Sequence, residues 1–579
     1  MIARVLPDVA ALDKEFDYWV PEAAAGSIEV GTEVRVDLSG RRVGGWVTAV
    51  GVEPTIGMAL RPIAKVRGFG PDGSLVDLAG WAAWRWAGRR RSLLATASAG
   101  FAVPRLPPPA LKMPARPAPS DLVDLIGALD ADAPTLLRLP PAADPTGVVA
   151  EMAQRGPTLV VVPTVARAAV LAGRLRRAGG DVAMVPEAWP QARSGAAIVI
   201  GSRASAWAPC PGLAAVVVLD GHDEGLSQEQ APTWGAVAVV AERARRAGVP
   251  CVVITSCPTP ELLALGPVRV VGRSAERSGW AAVEVIDRRG DDPRLGLYSE
   301  RLVALIRAEA RVVCVLNRTG RSRLLACTAC GSVASCERCG ASLSQQKHGD
   351  APISLDCARC GLVRPQVCAE CDSTRLRTLR IGVTRAREDL EILAGRPAAE
   401  VTGEKATIPD ADLLVGTEAV LHRLGPADTV TAVAFVDFDQ ELLAGRVRAP
   451  AEALSLMALA SRIVRGRAGR VMVQTRIPGH PVLRAAVLAD PAVLSGHEVE
   501  VRRELRLPPF SSIALVSGPA STDYANGLRG LPGTPVDVLG PDGDQWLVRG
   551  SDDAALADAL ASVPRPAGRL RVAVDPGRL

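Results

Sequence analysis

The chain has 579 residues, room at roughly 150 residues per domain for three to five domains, each able to bury its own core. Hydrophobic residues make up 48%, but they come as short Ala, Val and Leu runs with no stretch of about 18 apolar residues, which excludes a membrane span. The net charge of +5 is too mild to imply nucleic acid by itself, and the opening MIARVLPDVAALDKEFDYW carries acids where a signal peptide needs its apolar region, so a cytoplasmic chain is expected.

Positive charge is nearly all arginine. Lys14, Lys65, Lys112, Lys347 and Lys405 are the complete set of lysines, and composition bias is the plain reading of that excess. Each missing lysine is therefore informative.

Residues 1–70 alternate apolar and polar positions around glycines, as in EVGTEVRVDLSG and GGWVTAVG, and predict a small β domain. WAAWRWAGRRRSLL predicts one helix, closing a domain over 1–103. Seven prolines between Pro104 and Pro119 mark a stiff linker over 104–120. From 121 to 272 the strand-like runs TLVVVP, AAIVIG, AAVVVLD and PCVVITS alternate with helical Ala/Arg segments, the rhythm of a parallel sheet with crossover helices. The rhythm resumes over 273–326 with RVVCVLN, breaks for a Cys-rich insert over 327–371, and continues over 372–500 with ADLLVGT, TAVAFVDFD and GRVMVQT. A small α+β domain over 501–579 begins near LRLPPF. The fold class is multidomain α/β, with two lobes of which the second carries the insert.

Eight of the twelve cysteines form four C-x₂-C pairs: Cys327/Cys330, Cys336/Cys339, Cys357/Cys360 and Cys368/Cys371. Each pair offers two thiolates on one tight turn, half of a tetrahedral Zn²⁺ shell, so four pairs predict two closed structural Cys₄ sites. A disulfide framework is the alternative, disfavoured in a long cytosolic chain. Spacing alone does not decide which pairs combine. Cys210, Cys251, Cys257 and Cys314 lie in or beside apolar runs and read as inert core residues. Around the last pairs, Arg359, Arg364, Arg375, Arg377, Arg380, Arg385 and Arg387 form either a phosphate-contacting face or a solvated surface.

Several stretches, in order, resemble one family, the primosomal replication-restart helicases of the PriA type, two-lobed and of superfamily 2. LDKEFDYWVPE and GTEVRVDLSGRRVGGWV are similar to its domain that captures the 3′ end of a nascent strand. VLNRTGRSRLLACTACG and the four C-x₂-C pairs match its zinc insert, and LVGTEAV, RGRAGR and LRLPPFSSIALVSG resemble its late helicase motifs and C-terminal start. The resemblance implies RecA-like lobes and two Zn²⁺ ions, one on Cys327, Cys330, Cys368 and Cys371, the other on Cys336, Cys339, Cys357 and Cys360. It places Phe16, Asp17 and Gly40 at the DNA 3′ end, where a ring can stack on a base and a carboxylate can accept its donors. A winged-helix domain of the family has no obvious room here.

The motor elements depart from that pattern. An ATP motor needs amides around the phosphates, a lysine on the β/γ oxygens, and a carboxylate on Mg²⁺. The segment TLLRLPPAADPTGVVAEM, 135–152, has no G-x-x-x-x-G-K-[ST], and Pro140, Pro141 and Pro145 lack N–H groups. No lysine lies between Lys112 and Lys347, and Arg138 cannot replace a compact ammonium inside an amide nest. Where the family has Asp-Glu-Glu-His this chain has Asp220, then Gly221 in place of the Glu, with Glu224 displaced. TSCPTPELL replaces the coupling motif of lobe one, and Arg385 stands at an acid. Arg467 and Arg470, which face the γ-phosphate in a working motor, persist, while Ile463 replaces a Gln. Asp220, Arg467 and Arg470 thus read as a vestigial nucleotide site, with ATP and Mg²⁺ not expected and no catalytic residue assigned.

The leading expectation is a DNA-binding replication-restart component that recognises stalled or abandoned forks and promotes reloading of the replicative helicase without ATPase or helicase activity. By resemblance its partners are branched DNA with a 3′ end, other primosome proteins, the replicative helicase and single-strand binding protein, in the cytoplasm at the nucleoid. The alternatives are a divergent ATP-dependent 3′-5′ DNA helicase and a zinc-ribbon scaffold acting through proteins.

Overall fold

The protein is seen as a computed structural model that describes residues 1–577 apart from 11, 55–59, 119–120, 128, 130–132, 290–297, 317–324, 348–351, 379–382, 402–407, 426–427 and 534. The alternating pattern of the first 70 residues folds into β1 (Ile2–Pro7), β2 (Phe16–Trp19), β3 (Glu33–Leu38), β4 (Arg41–Val50), β5 (Arg61–Pro62) and β6 (Lys65–Gly68). They form one sheet in the order β5-β2-β1-β4-β3-β6, with Ala3, Val5, Tyr18, Val34, Val36 and Val47 turned to its core. Leu38 pairs with Arg41 across a two-residue turn, Ser39 at φ +50 and Gly40 at φ +81. A tight hairpin of this kind needs positive φ at both positions, which glycine meets without strain.

The tryptophan-rich segment is two helices rather than one, Gly73–Arg85 and Arg90–Ala97. Ala87 at φ +44 ends the first, and Gly88 lets Pro232 of lobe one approach, since a Cβ there would lie 2.6 Å from the proline Cβ. The helices share one apolar cluster with lobe one and the C-terminal domain, including Leu75, Trp86, Trp207, Trp234, Ala514 and Val548. Directional bonds fix this three-way joint: Trp189 Nε1 to the Ala97 carbonyl at 2.8 Å, and Arg85 to Asp553 and Asp575 at 2.7 and 2.8 Å. The proline-rich stretch is a strap along lobe one, held by Asp181 N to Lys112 O and by Ala197 N to Ala110 O.

Lobe one is a parallel sheet of β7 (Thr135–Arg138), β8 (Thr158–Val161), β9 (Val182–Met184), β10 (Ile198–Gly201), β11 (Ala215–Val218), β12 (Cys251–Thr255) and β13 (Val268–Val270), in the order β13-β7-β12-β11-β8-β10-β9. Lobe two begins with β14 (Ala282–Asp287) and β15 (Val312–Val315). The insert follows as β16 (Leu325–Cys327), β17 (Leu343–Gln346), β18 (Ser354–Cys357), β19 (Val363–Pro365) and β20 (Leu376–Thr378). Lobe two resumes with β21 (Ala398–Val401), β22 (Leu413–Gly416), β23 (Ala432–Phe435) and β24 (Arg470–Thr475), in the parallel order β14-β24-β23-β15-β22-β21. β25 (Ser512–Ser517), β26 (Val536–Asp542), β27 (Gln545–Gly550) and β28 (Arg571–Val574) form an antiparallel sheet with two helices, the expected α+β ending. Among the described residues, no helix is long and apolar enough to cross a membrane.

Glu261 of lobe one ties the lobes together: it receives Arg448 at 3.1 Å from the start of helix Ala449–Ile463, and fully buried Arg502 at 2.7 Å. Burial opposes its charge, but the two guanidiniums outweigh it and bring the carboxyl down to about 2. A carboxylate depressed below its unfolded value of about 4.3 contributes stability that is complete above that pH and fades as pH falls toward 2. Acid unfolding of the full chain should therefore show a stability loss on the order of 3 kcal/mol across pH 4.5 to 2. Glu261→Gln should flatten that window and, by leaving Arg502 buried without its partner, lower stability at pH 7 by about 3 kcal/mol. Unchanged acid dependence in the variant would contradict this assignment.

Candidate functional site

Phe16 and Asp17 sit on β2 beside β1, in register with Val5 and Arg4. Phe16 packs partly against the sheet core, on the side of Tyr18, and carries Lys14 over its ring at 5.8 Å. Strand alternation turns Asp17 to the opposite face with exposed Trp19. Asp17 takes Arg4 through two nitrogens at 2.9 and 3.5 Å, which holds its carboxylate in one orientation. Tyr18 donates its hydroxyl to the Asp37 carbonyl, tying β2 to the strand end that precedes the Gly40 turn. A Cβ at Gly40 would meet nothing within 4 Å, so this glycine serves its positive φ or the close approach of something outside the fold. Arg61, exposed and paired with Tyr18 through β5, is a cation that sequence reasoning passed over; its signal was only proximity to a short edge strand.

The cysteine pairs combine outer with outer and inner with inner. Cys327, Cys330, Cys368 and Cys371 form one cluster and Cys336, Cys339, Cys357 and Cys360 the other, each with its sulfurs within 4.8 Å of one another. Cross-pair sulfurs lie 3.5–3.6 Å apart, far beyond the ~2.05 Å of a disulfide and close to the edge of a tetrahedron with metal–sulfur bonds of about 2.3 Å. The Cys339 thiol donates to Cys357, which with the amides of Cys360 and Arg359 lowers Cys357 against burial and raises Cys339 in turn, so the cluster stabilises one thiolate through its neighbours. The donor set fits Zn²⁺, closed by four sulfurs. Cys210, Cys251, Cys257 and Cys314 are buried, with thiols pushed up to about 11 at Cys210 and about 12 at the other three.

The arginines of this region divide. Arg359 is buried among Cys339 O, Val447 O and Glu498, and Arg364 is held by Glu337 and Val367 O. Arg375 and Arg377 are exposed, and Arg387 pairs with Glu391 at 2.9 Å. Arg380 and the side chain of Arg385 lie outside the described residues.

Asp220 follows β11 at the carboxyl end of the sheet, where a nucleotide metal would sit. It is 5% exposed and held at φ +48. Its carboxylate is taken by two guanidiniums: Arg462 of lobe two binds bidentately at 2.6 and 3.4 Å, and Arg167 of lobe one closes on the same group. Burial first, then repulsion from Arg462, lowers Arg167 to about 9. Two cations therefore crowd the space a metal would need. Arg467 and Arg470 are exposed, and Arg470 has Glu309 within 3.8 Å. The arginine that reaches Asp220 is thus Arg462, which sequence reasoning missed although it stands just before Ile463 in the same motif.

The segment 135–152, where the resemblance would put a phosphate loop, is closed in the same way. The Ala142 amide donates to Gly279 O at 3.2 Å, Ala143 to Pro140 O at 3.0 Å and Thr146 to the Asp144 side chain at 3.0 Å. Pro140 packs against Gly279, whose added Cβ would lie 2.5 Å from the proline Cβ, and Pro141 O accepts from Arg462 at 2.9 Å. Arg138 is drawn to Glu276 and Asp490 at 3.3 and 3.4 Å. His222, lowered to about 4 chiefly by burial, bonds through Nδ1 to Thr255 Oγ1 at 2.8 Å. The rest of the cleft is acidic, with Asp223, Glu224, Glu418, Glu441 and Glu452 facing Arg446. Like charge there raises an already desolvated Glu224 and repels a polyphosphate.

The PriA 3′ DNA-binding domain (3′BD) family matches residues 4–98. Over longer spans the chain is 28% identical to the replication restart protein PriA of Haemophilus influenzae across 365 residues, covering 57% of this chain and 49% of that protein. It is 26% identical to the Bacillus subtilis protein of the same name (59% and 47%) and 27% identical to that of Thermotoga maritima (57% and 47%). The chain spans about half the length of the curated relatives it matches. A solved S. cerevisiae Dbp5 bound to RNA and ADP BeF3 superposes at a TM-score of 0.36 with 10% identity, covering 65% of this chain and 88% of that one.

Gly221 has no room for a side chain: a Cβ would lie 2.4 Å from Val253 Cγ1 in the core strand β12. Gly221→Ala should cost about 1–3 kcal/mol in denaturant unfolding, as overpacking of a filled core does. Stability equal to the parent chain would show that the core gives way to a Cβ at this position.

Proposed function

We infer from this kinship with the replication restart protein PriA that the chain is a DNA-binding replication-restart protein that recognises forks through a 3′ end and works without ATP hydrolysis. The observation that carries the reading is the Asp220 carboxylate, occupied by Arg462 and Arg167 where a motor holds Mg²⁺. Losing one element of a phosphoryl-transfer site commonly costs several kcal/mol of transition-state stabilisation, and here the lysine, the amide cradle and the glutamate are replaced together. Phosphate contacts need only charge and shape, so the lobes remain able to hold DNA.

In this reading the terminal nucleotide lies at the β2 edge that β5 leaves uncovered, where Phe16 stacks on its base from one face of the strand and Asp17, oriented by Arg4, meets its sugar from the other, with the open turn at Gly40 alongside. The two Cys₄ sites hold Zn²⁺, which here supplies folding energy rather than chemistry. Arg375 and Arg377 offer exposed phosphate contacts. Branch recognition leads to reloading of the replicative helicase through primosome proteins and single-strand binding protein, roles that rest on the resemblance.

A labelled fork titrated with the full chain tests this directly. Affinity should be the same with and without ATP, fall steeply with salt, and drop about tenfold when the nascent 3′ end is removed or in Phe16→Ala, the loss of one stacked base. Equal affinity for forks with and without the 3′ end would overturn it. DNA-stimulated ATP hydrolysis abolished by Asp220→Ala would establish the divergent helicase instead.

A further inference from the structure

We infer that the inner cysteine site is coupled to closure of the two lobes through a buried relay of alternating charges, Arg359–Glu498–Arg502–Glu261–Arg448; the inference rests on reading that cluster as a metal site. Arg359 lies between the ligand residues Cys357 and Cys360, and its own amide serves Cys357. Its guanidinium is buried, bonding Cys339 O, Val447 O and Glu498, each at 3.2 Å. The metal knuckle thus fixes both ends of this side chain.

Glu498 Oε2 also faces Arg502, four residues on along helix Ala492–Glu504, at 3.6 Å. That separation is an ion pair and not a hydrogen bond. Arg502 spends its hydrogen bonds elsewhere: Nη1 donates to Pro508 O at 3.1 Å and lies 2.7 Å from Glu261 of lobe one, beside Arg448 of lobe two. Arg502 therefore stands between two carboxylates, and Arg359 decides which of them it serves. While Arg359 satisfies Glu498, Arg502 is free to bridge to Glu261. With Arg359 withdrawn, Glu498 is left with Arg502 alone, the favourable i,i+4 helix partner, and draws it away from the lobe boundary. Arg359 Nε and Arg502 Nε and Nη2 lack hydrogen-bond partners among the described residues, so the relay is incompletely satisfied and responds to loss of a member. Metal occupancy of the insert is in this way felt in lobe one, at the helix Pro260–Leu263. The outer site has no such arginine: its knuckles carry Thr328, Ala329, Ala369 and Glu370.

Hydrogen exchange of the full chain, with metal content measured on each sample, tests this at the protected amides of Leu263, Ala264 and Leu265. Cys360→Ser and Arg359→Gln should each speed exchange there about tenfold, the pair together no more than either alone, and Cys371→Ser in the outer site should leave it unchanged. Should Cys360→Ser fail to fold, timed chelation of the Cys371→Ser chain, which keeps the inner four cysteines, replaces it, and exchange at these amides should rise as metal leaves Cys336, Cys339, Cys357 and Cys360. Loss of that metal with unchanged exchange overturns the relay alone, and an effect of Cys371→Ser equal to that of Cys360→Ser does the same. A chain that binds no metal at Cys336, Cys339, Cys357 and Cys360 overturns the metal reading and the relay together.

Discussion

One carboxylate shared by two arginines organises the centre of this molecule. Asp220 projects from the end of β11 into the lobe interface, and Arg462 from the opposite lobe closes on it bidentately. A nucleotide motor leaves this place open and lets Mg²⁺ and phosphates assemble it in each cycle. Here the ligand's charges are replaced by fixed guanidiniums, so the contact is made once, on folding. Removing Asp220 would strand two partly buried cations, a loss of about 3–5 kcal/mol by the usual cost of breaking such a pair. In the proposed reading, the group that a motor spends on catalysis serves here as a structural bond.

The remaining ties run the same way. Pro140 against Gly279, Arg138 between Glu276 and Asp490, and Glu261 between Arg448 and Arg502 all cross from lobe one to the segments after it. The N-terminal helices and the C-terminal sheet share lobe one's apolar cluster, with Trp86 and Trp207 fully buried there. Such a body presents the sheet that matches the 3′ DNA-binding domain family and the cysteine insert from one held platform. A fixed arrangement suits recognition by shape and charge.

Much of this was legible in the chain. The long apolar runs gave the central strands β8, β10, β11, β12, β15, β22, β23 and β24, because buried parallel strands read as continuous hydrophobic stretches. The edge strands β9 and β13 were not visible: β13 is three exposed residues, with no pattern for burial to impose. The tryptophan-rich helix read as continuous because its break at Ala87 answers to Pro232, a contact far away in sequence. At the site, cysteine spacing predicted the two clusters, and the resemblance supplied their pairing. Arg462 is on the helix Ala449–Ile463 while Arg467 and Arg470 follow the helix end and the left-handed turn at Arg465, and that break decides which arginine meets Asp220. Sequence carries residue types well; it carries the choice among neighbouring arginines poorly.

The central claim is that the cleft is complete without nucleotide. Isothermal titration of Mg-ATP into the full chain, alone and with saturating fork DNA, measures that most directly. No saturable binding is expected at millimolar nucleotide, and none on DNA addition. Micromolar binding that weakens when Asp220 is replaced by Ala would contradict it, because the carboxylate would then be serving a metal and not Arg462.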